Sequence, residues 1–167
     1  MCGGENYNWG KLYGGGYMKT LCVVPCGKRK IWDKVPAAGP TEARLVYIGP
    51  FAKKCREYAQ KFYPDAWCIL SAKYGFLFPQ DIVPESYNTS FNDLKSNPIN
   101  IEELKKQVST KNLDAYDKIV VLGGKNYVNR LKQVFPLKRM YIPLSSFKGL
   151  GYMLQALNNA LETDTEL

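Results

Sequence analysis

Three short stretches carry the side chains that could do chemistry: PCGKRK (25–30), SAKYG (71–75) and GGKNY (123–127). Each follows a run of apolar residues and each contains a glycine and a lysine. Glycine lets the backbone turn tightly or approach a ligand closely, exposed amides at a helix start attract anions, and lysine adds a full charge. Gly27, Lys28 and Lys30 in the first stretch, Ser71, Tyr74 and Gly75 in the second, and Gly123, Gly124 and Lys125 in the third are therefore candidates to hold a phosphate or another anion. Lys28 and Arg29 are also placed to draw an anionic ligand in.

Cys26, at a strand tip beside Lys28, Arg29 and Lys30, is a candidate nucleophile or proton-transfer group, since neighbouring cations are expected to promote thiol reactivity; the alternative is that it packs beneath the loop. Cys22, Cys55 and Cys68 read instead as small buried apolar residues. Lys73 could stabilise developing negative charge, and Asp81 is a carboxylate in reach of proton transfer. Glu42 and Glu85 are further carboxylates of this kind. Tyr74 and Tyr87 are aromatic faces among cations, the combination that base stacking uses at ~1–3 kcal/mol per base. Phe76 and Phe78, which lie between them, read equally as a plug that holds the segment down.

Composition narrows the chemistry. The chain has no histidine, so Ser-His and Cys-His pairs are excluded, and proton transfer falls to Asp, Glu, Lys, Tyr or Cys. Five cysteines at 2, 22, 26, 55 and 68 form no CxxC pair, and neither a metal nor a cofactor is expected. The excess of 23 Lys plus Arg over 15 Asp plus Glu, a net +8, favours anionic partners, here a nucleotide or a nucleic acid such as DNA or tRNA. No apolar run of about 18 residues exists and the N-terminus lacks a secretory core, so a cytoplasmic protein without membrane contact is expected.

These residues need elements to position them. LCVV (21–24), AWCILS (66–71) and KIVVL (118–122) read as strands buried on both faces, with a weaker strand at MYIPL (140–144). Thr41 to Phe62 has helical spacing broken at Gly49-Pro50, with Thr41 as an N-cap; helices are expected over 101–108, 125–135 and 149–162 as well. The segment from Lys73 to about Pro98 is irregular, and residues 76–98 within it are a candidate lid. Alternation of this kind predicts a three-layer α/β sandwich with a mostly parallel central sheet of about four or five strands. Such sheets bind ligands outside the strand carboxyl ends, where all three stretches fall. Residues 1–17, with six glycines, are expected to be a flexible leader to a single domain over 18–167.

VVPCGKRK (23–30), Tyr47-Ile48-Gly49, ILSAKYGFLFPQD (69–81) and VVLGGKNY (120–127) together resemble an uncharacterised family of small prokaryotic and phage proteins with PCxxxK and LSAKYGxLxP motifs. More distantly they are similar to the YaaA peroxide-stress proteins and to the PCxxxK domain of archaeosine synthase, where Pro-Tyr stands in place of Ile31-Trp32. Pro25, Cys26 and Lys30 match the first motif; Ser71, Gly75 and Pro79 match the second. The resemblance implies work on nucleic acids or their bases. The expected function is a nucleotide- or base-processing enzyme, either a nucleoside or base glycosylase or a base-modifying transferase. The competing expectation is a DNA- or RNA-binding protein without turnover, using the same basic crevice together with the basic helical surfaces of Lys53, Lys54, Arg56 and Lys61; a small-nucleotide sensor is a third.

Overall fold

The computed structural model describes residues 9–11 and 17–167, with side chains from Met18 onward. The strands are β1 (Trp9–Lys11), β2 (Tyr17–Pro25), β3 (Thr41–Glu42), β4 (Trp67–Ser71), β5 (Gly75–Leu77), β6 (Ile82–Val83), β7 (Lys118–Val121) and β8 (Arg139–Tyr141). The helices are α1 (Ile31–Lys34), α2 (Ala43–Val46), α3 (Pro50–Phe62), α4 (Ile101–Thr110), α5 (Lys125–Val134) and α6 (Leu150–Thr163). The central sheet runs β5-β4-β2-β7-β8. β4, β2, β7 and β8 are parallel, while β5 returns antiparallel on β4. β1 pairs antiparallel with the start of β2, Trp9 facing Lys19; the rest of the expected leader lies outside the described residues.

Period-2 alternation sorts the strand side chains onto two cores. Cys22, Val24, Trp67, Ile69, Val120 and Leu122 face α3 and α6, whereas Leu21, Val23, Cys68, Leu70, Ile119 and Val121 face α4 and α5. The result is the expected three-layer α/β sandwich with a mostly parallel five-stranded sheet. Burial of a Leu- or Ile-sized side chain contributes about 1.5–3 kcal/mol, and Leu21, Leu70, Ile119, Leu122, Leu131 and Leu157 all lie at 2% exposure or less. Among the described residues no helix is long and apolar enough to cross a membrane.

Several local expectations change. Thr41 and Glu42 do not begin a helix; they pair with Val83 and Ile82 as a two-stranded ribbon, and the helix starts at Ala43. The first strand runs from Tyr17 to Pro25, longer than 21–24. The segment after Lys73 holds three short elements, β5, β6 and a 3₁₀ turn at Leu94–Ser96, and Ile101–Thr110 begins with a capping box between Asn100 and Glu103. SAKYG is the turn of the β4–β5 hairpin, whereas GGKNY is the expected strand-to-helix connection.

Candidate functional site

In the parallel part of the sheet, β2 lies between β4 and β7, so consecutive connections leave β2 to opposite sides. The carboxyl ends of β2 and β7 flank such a switch point, where open α/β sheets form their ligand crevice. A cleft of about 640 Å³ occupies it. Its walls are Cys26, Gly27, Lys28 and Lys30 after β2, Ala72 after β4, the run Asn88 to Asp93, and Asn126 and Tyr127 on α5.

Cys26 and Tyr127 join the two sides. The thiol Sγ lies 3.2 Å from the Tyr127 hydroxyl, which also accepts the Gly27 N–H at 3.4 Å. Gly27 has φ +70°, a left-handed conformation that glycine takes at no steric cost, and it exposes its backbone at the cleft wall. Gly123 makes room for the tyrosine, since a Cβ there would meet the Tyr127 ring at 3.2–3.3 Å. Burial raises the Tyr127 pKa, with Cys26 adding to the effect, so its hydroxyl is neutral at physiological pH.

Lys30 is buried, only 4% exposed. Its Nζ donates to the Lys28 carbonyl at 3.0 Å and lies 4.3 Å over the Tyr87 ring. Burial lowers its pKa; Cys26 and Asp33 act against that shift and Lys28 adds to it. The backbone around it is fixed, with Lys30 bridged to Tyr47 and the Ile48 N–H bonded to the Arg29 carbonyl at 3.1 Å. Tyr87 is held in turn by two hydroxyls, Tyr47 at 2.5 Å and Ser71 at 2.8 Å. Burial pushes the phenols of Tyr47 and Tyr87 up as well, and all three groups are neutral hydrogen-bonding partners. Ser71 Oγ also accepts the N–H groups of Lys73 and Tyr74, at 3.2 and 3.0 Å, so the serine closes the β4–β5 turn.

The run Asn88 to Asp93 crosses in front of α5 and is held there by its one apolar residue. Phe91 packs edge-on against Tyr127 at 5.5 Å, and the Arg130 guanidinium covers it at 4.1 Å. Asn126 donates through its side-chain amide to Asn92. The wall so formed is rich in amide and hydroxyl groups, which donate and accept hydrogen bonds without charge.

The sequence-derived candidates therefore divide into three groups. Cys26, Gly27, Lys28 and Lys30 line the cleft. Ser71, Tyr74, Tyr87 and Lys73 form the layer beside Lys30: Tyr74 meets Tyr87 edge-on at 5.5 Å, and Lys73 Nζ sits 5.3 Å over Tyr74 and 5.7 Å over Tyr87. Gly75, Gly123, Gly124, Lys125 and Asp81 do not line it. Gly75, at φ +75°, is shaped by Gln107, whose amide accepts from Phe76 N at 2.8 Å and donates to the Tyr74 carbonyl at 2.9 Å. Gly124 and Lys125 are exposed at the start of α5, and Gly124 serves as its N-cap.

Asp81 lies apart because β5 reverses the chain. Leu77 already pairs back with Ile69, so the residues after it return toward the start of β4. The Asp81 carboxylate accepts the Phe78 N–H at 2.8 Å and pairs with Lys111 at 3.8 Å. Glu42 is paired with Arg44, and Glu85 lines a separate shallow depression with Trp32 and Pro84.

Sequence reasoning passed over Tyr127, Asn126 and the wall at 88–93. A signal existed for each: Tyr127 ends GGKNY itself, and NTSFND (88–93) sets a single phenylalanine among residues that hydrogen-bond without periodicity. No group of three or more His, Cys, Asp or Glu side chains arranged to hold a metal occurs among the described residues.

The family model described as "Family of unknown function (DUF6884)" matches residues 21–159. The chain is also similar to the uncharacterized protein YfjM of Bacillus subtilis (strain 168), at 46% identity over 151 residues, covering 90% of this chain and 100% of that one. No solved structure matches.

Proposed function

The chain belongs to the DUF6884 family of unknown function, and from that premise we propose that it is an enzyme that processes a nucleotide, or a base within nucleic acid, in the cleft between β2 and β7. One observation carries this reading: a single cleft brings together an exposed lysine, an exposed glycine backbone, a thiol and a neutral hydrogen-bonding wall. Its volume falls within the roughly 300–1,000 Å³ of small-ligand sites. Lys28 and the Gly27 backbone receive the phosphate. Asn88, Thr89, Ser90, Asn92 and Asn126 offer the mixed donors and acceptors that match the edge of a base. Cys26, hydrogen-bonded to Tyr127, faces the reacting base and supplies a proton or a nucleophile. The resemblance to base-directed proteins points the same way.

The reading as a binder without turnover draws less support. Of the four cations proposed for that surface, Lys54 pairs with Glu57 at 3.1 Å, Lys61 with Asp164 at 3.4 Å, and Arg56 donates to the Arg44 carbonyl at 2.5 Å.

Salt dependence separates the two. A pocket enzyme binds a nucleoside monophosphate with a shallow slope of affinity against salt, whereas a groove that tracks a polynucleotide loses affinity steeply. Titration of adenosine, guanosine, cytidine and uridine monophosphates, and of a single-stranded oligonucleotide, at two salt concentrations is expected to give the shallow slope for at least one monophosphate. Binding of neither, or oligonucleotide binding with a steep slope that Lys28→Ala in the cleft leaves unchanged, contradicts the proposal.

A further inference from the structure

Lys30 is the only charged side chain among the described residues that folding buries. No carboxylate lies within ion-pair distance of its Nζ among those residues; Asp33, the nearest acid in sequence, accepts the Lys30 backbone N–H at 2.8 Å. One of its three donors is spent on the Lys28 carbonyl, and the face of Tyr87 supports the group from below. The surrounding titratable groups are Cys26 from the end of β2, Lys28 from the same loop, Asp33 from α1, and Tyr87 from the crossing segment. A buried ammonium without a counter-ion costs stability that an apolar side chain of similar length would not. The cost has a use where the residue lines a cleft, as Lys30 does.

We infer that Lys30 is an amine nucleophile and that its target is the anomeric carbon, C1′, of a nucleoside sugar. This rests on the nucleotide reading above and narrows it to cleavage of the N-glycosidic bond. Burial lowers the pKa of Lys30 and so enlarges its neutral, nucleophilic fraction, whereas a phosphate ligand would need the charged form. The exposed Lys28 in the same cleft is suited to phosphate instead.

The bonds balance as follows. The Lys30 nitrogen bonds to C1′, and the C1′–N bond breaks with its electron pair leaving on the base. The base nitrogen takes a proton from the Cys26–Tyr127 pair, which water restores. One proton then passes from the lysine nitrogen to the ring oxygen as the C1′–O bond opens, leaving an iminium at Lys30 that water hydrolyses to free the amine and the sugar aldehyde.

Reductive trapping tests this on the full chain. The protein is incubated at neutral pH with sodium cyanoborohydride and either ribose 5-phosphate or a single-stranded oligonucleotide carrying one abasic site, and adducts are located by peptide mapping. The expected result is an adduct on Lys30 formed at least tenfold faster than on any other lysine, with one or both probes. The two probes separate a free nucleotide from a polynucleotide as the source of the sugar. Lys30→Arg keeps the charge and removes the nucleophile, so it abolishes trapping, whereas it would rescue a mere phosphate anchor. Should that variant fail to fold, the wild-type map decides alone: adducts on surface lysines with Lys30 unmodified overturn the inference. A nucleoside monophosphate that blocks trapping supports both readings. Trapping that neither a monophosphate nor an intact single-stranded oligonucleotide blocks keeps the amine nucleophile and removes the nucleotide reading; monophosphate binding without trapping does the reverse.

Discussion

Cys26 and Tyr127, 101 positions apart in sequence, meet at 3.2 Å through thiol and hydroxyl across the point where the strand order reverses. The contact ties the end of β2 to the first turn of α5 and sets the width of the cleft between them. Tyr127→Phe keeps the ring that packs against Phe91 and removes the hydroxyl alone. The hydroxyl meets both Cys26 and the Gly27 N–H, and the expected outcome is a loss of stability in urea unfolding of at least the ~0.5–1.5 kcal/mol usual for one hydrogen bond. Turnover, once an assay exists, is expected to fall by more than that energy alone converts to.

The glycines divide by what surrounds them. Gly123→Ala brings a methyl to 3.2–3.3 Å from the Tyr127 side chain, and Gly75→Ala strains a φ of +75° while meeting the Gln107 side-chain amide. At Gly124 an added Cβ meets nothing within 4 Å. Melting temperatures are expected to rank Gly75→Ala lowest and Gly124→Ala near wild type, with Gly123→Ala between them; a positive φ alone costs a non-glycine residue roughly 1–2 kcal/mol.

Ser71→Ala leaves the Lys73 and Tyr74 N–H groups without their acceptor and removes one of two partners from the Tyr87 hydroxyl. Lys73 is exposed and Tyr74 half-buried, so water can replace their acceptor, whereas the buried Tyr87 hydroxyl deprived of a partner costs about 1–3 kcal/mol. Chemical denaturation is expected to show a loss in that range or above it, and Tyr47→Phe a smaller one.

Lys30 makes stability depend on pH with a definite sign. Its folded pKa is lowered by burial, so the unfolded chain binds more protons at this site, and stability rises with pH as the ordinary lysine range is approached. Lys30→Met removes that dependence. Melting curves are expected to place the variant level with or above wild type at neutral pH, with wild type gaining on it as the solution is made alkaline.

Asp81→Asn separates proximity in sequence from proximity in space. Its carboxylate caps Phe78 N and pairs with Lys111. Ligand affinity is expected to stay within about twofold of wild type while stability falls modestly, by the ~0–1 kcal/mol typical of an exposed ion pair together with the weakened cap.

The apolar runs around Val23, Ile69 and Val120 were readable as buried parallel strands because nothing polar interrupts them, and they place Cys26 and the loop before Tyr127 at one edge. β5 was not readable, since three residues become a strand only by pairing with β4, and that pairing carries Asp81 away from the cleft and turns Gly75 inward. Lys30 lies in a run of three cations that reads as a solvated tip, yet Tyr47 and Tyr87, 17 and 57 positions later, close over it. Such burial is a product of tertiary contact and leaves no local pattern. The wall at 88–93 escaped for a similar reason: its residues are ordinary loop types, and Phe91 gains its role only from Tyr127 and Arg130.

The central claim is that the cleft between β2 and β7 binds a nucleotide. Titration of the four nucleoside monophosphates into isotopically labelled protein, followed by backbone amide shifts, tests it most directly. The account predicts saturable shifts confined to Cys26–Lys30, Ala72, Asn88–Asp93 and Asn126–Tyr127, with affinity at least tenfold weaker in Lys28→Ala. Shifts centred on the α3 surface around Lys53, or none with any monophosphate, contradict it.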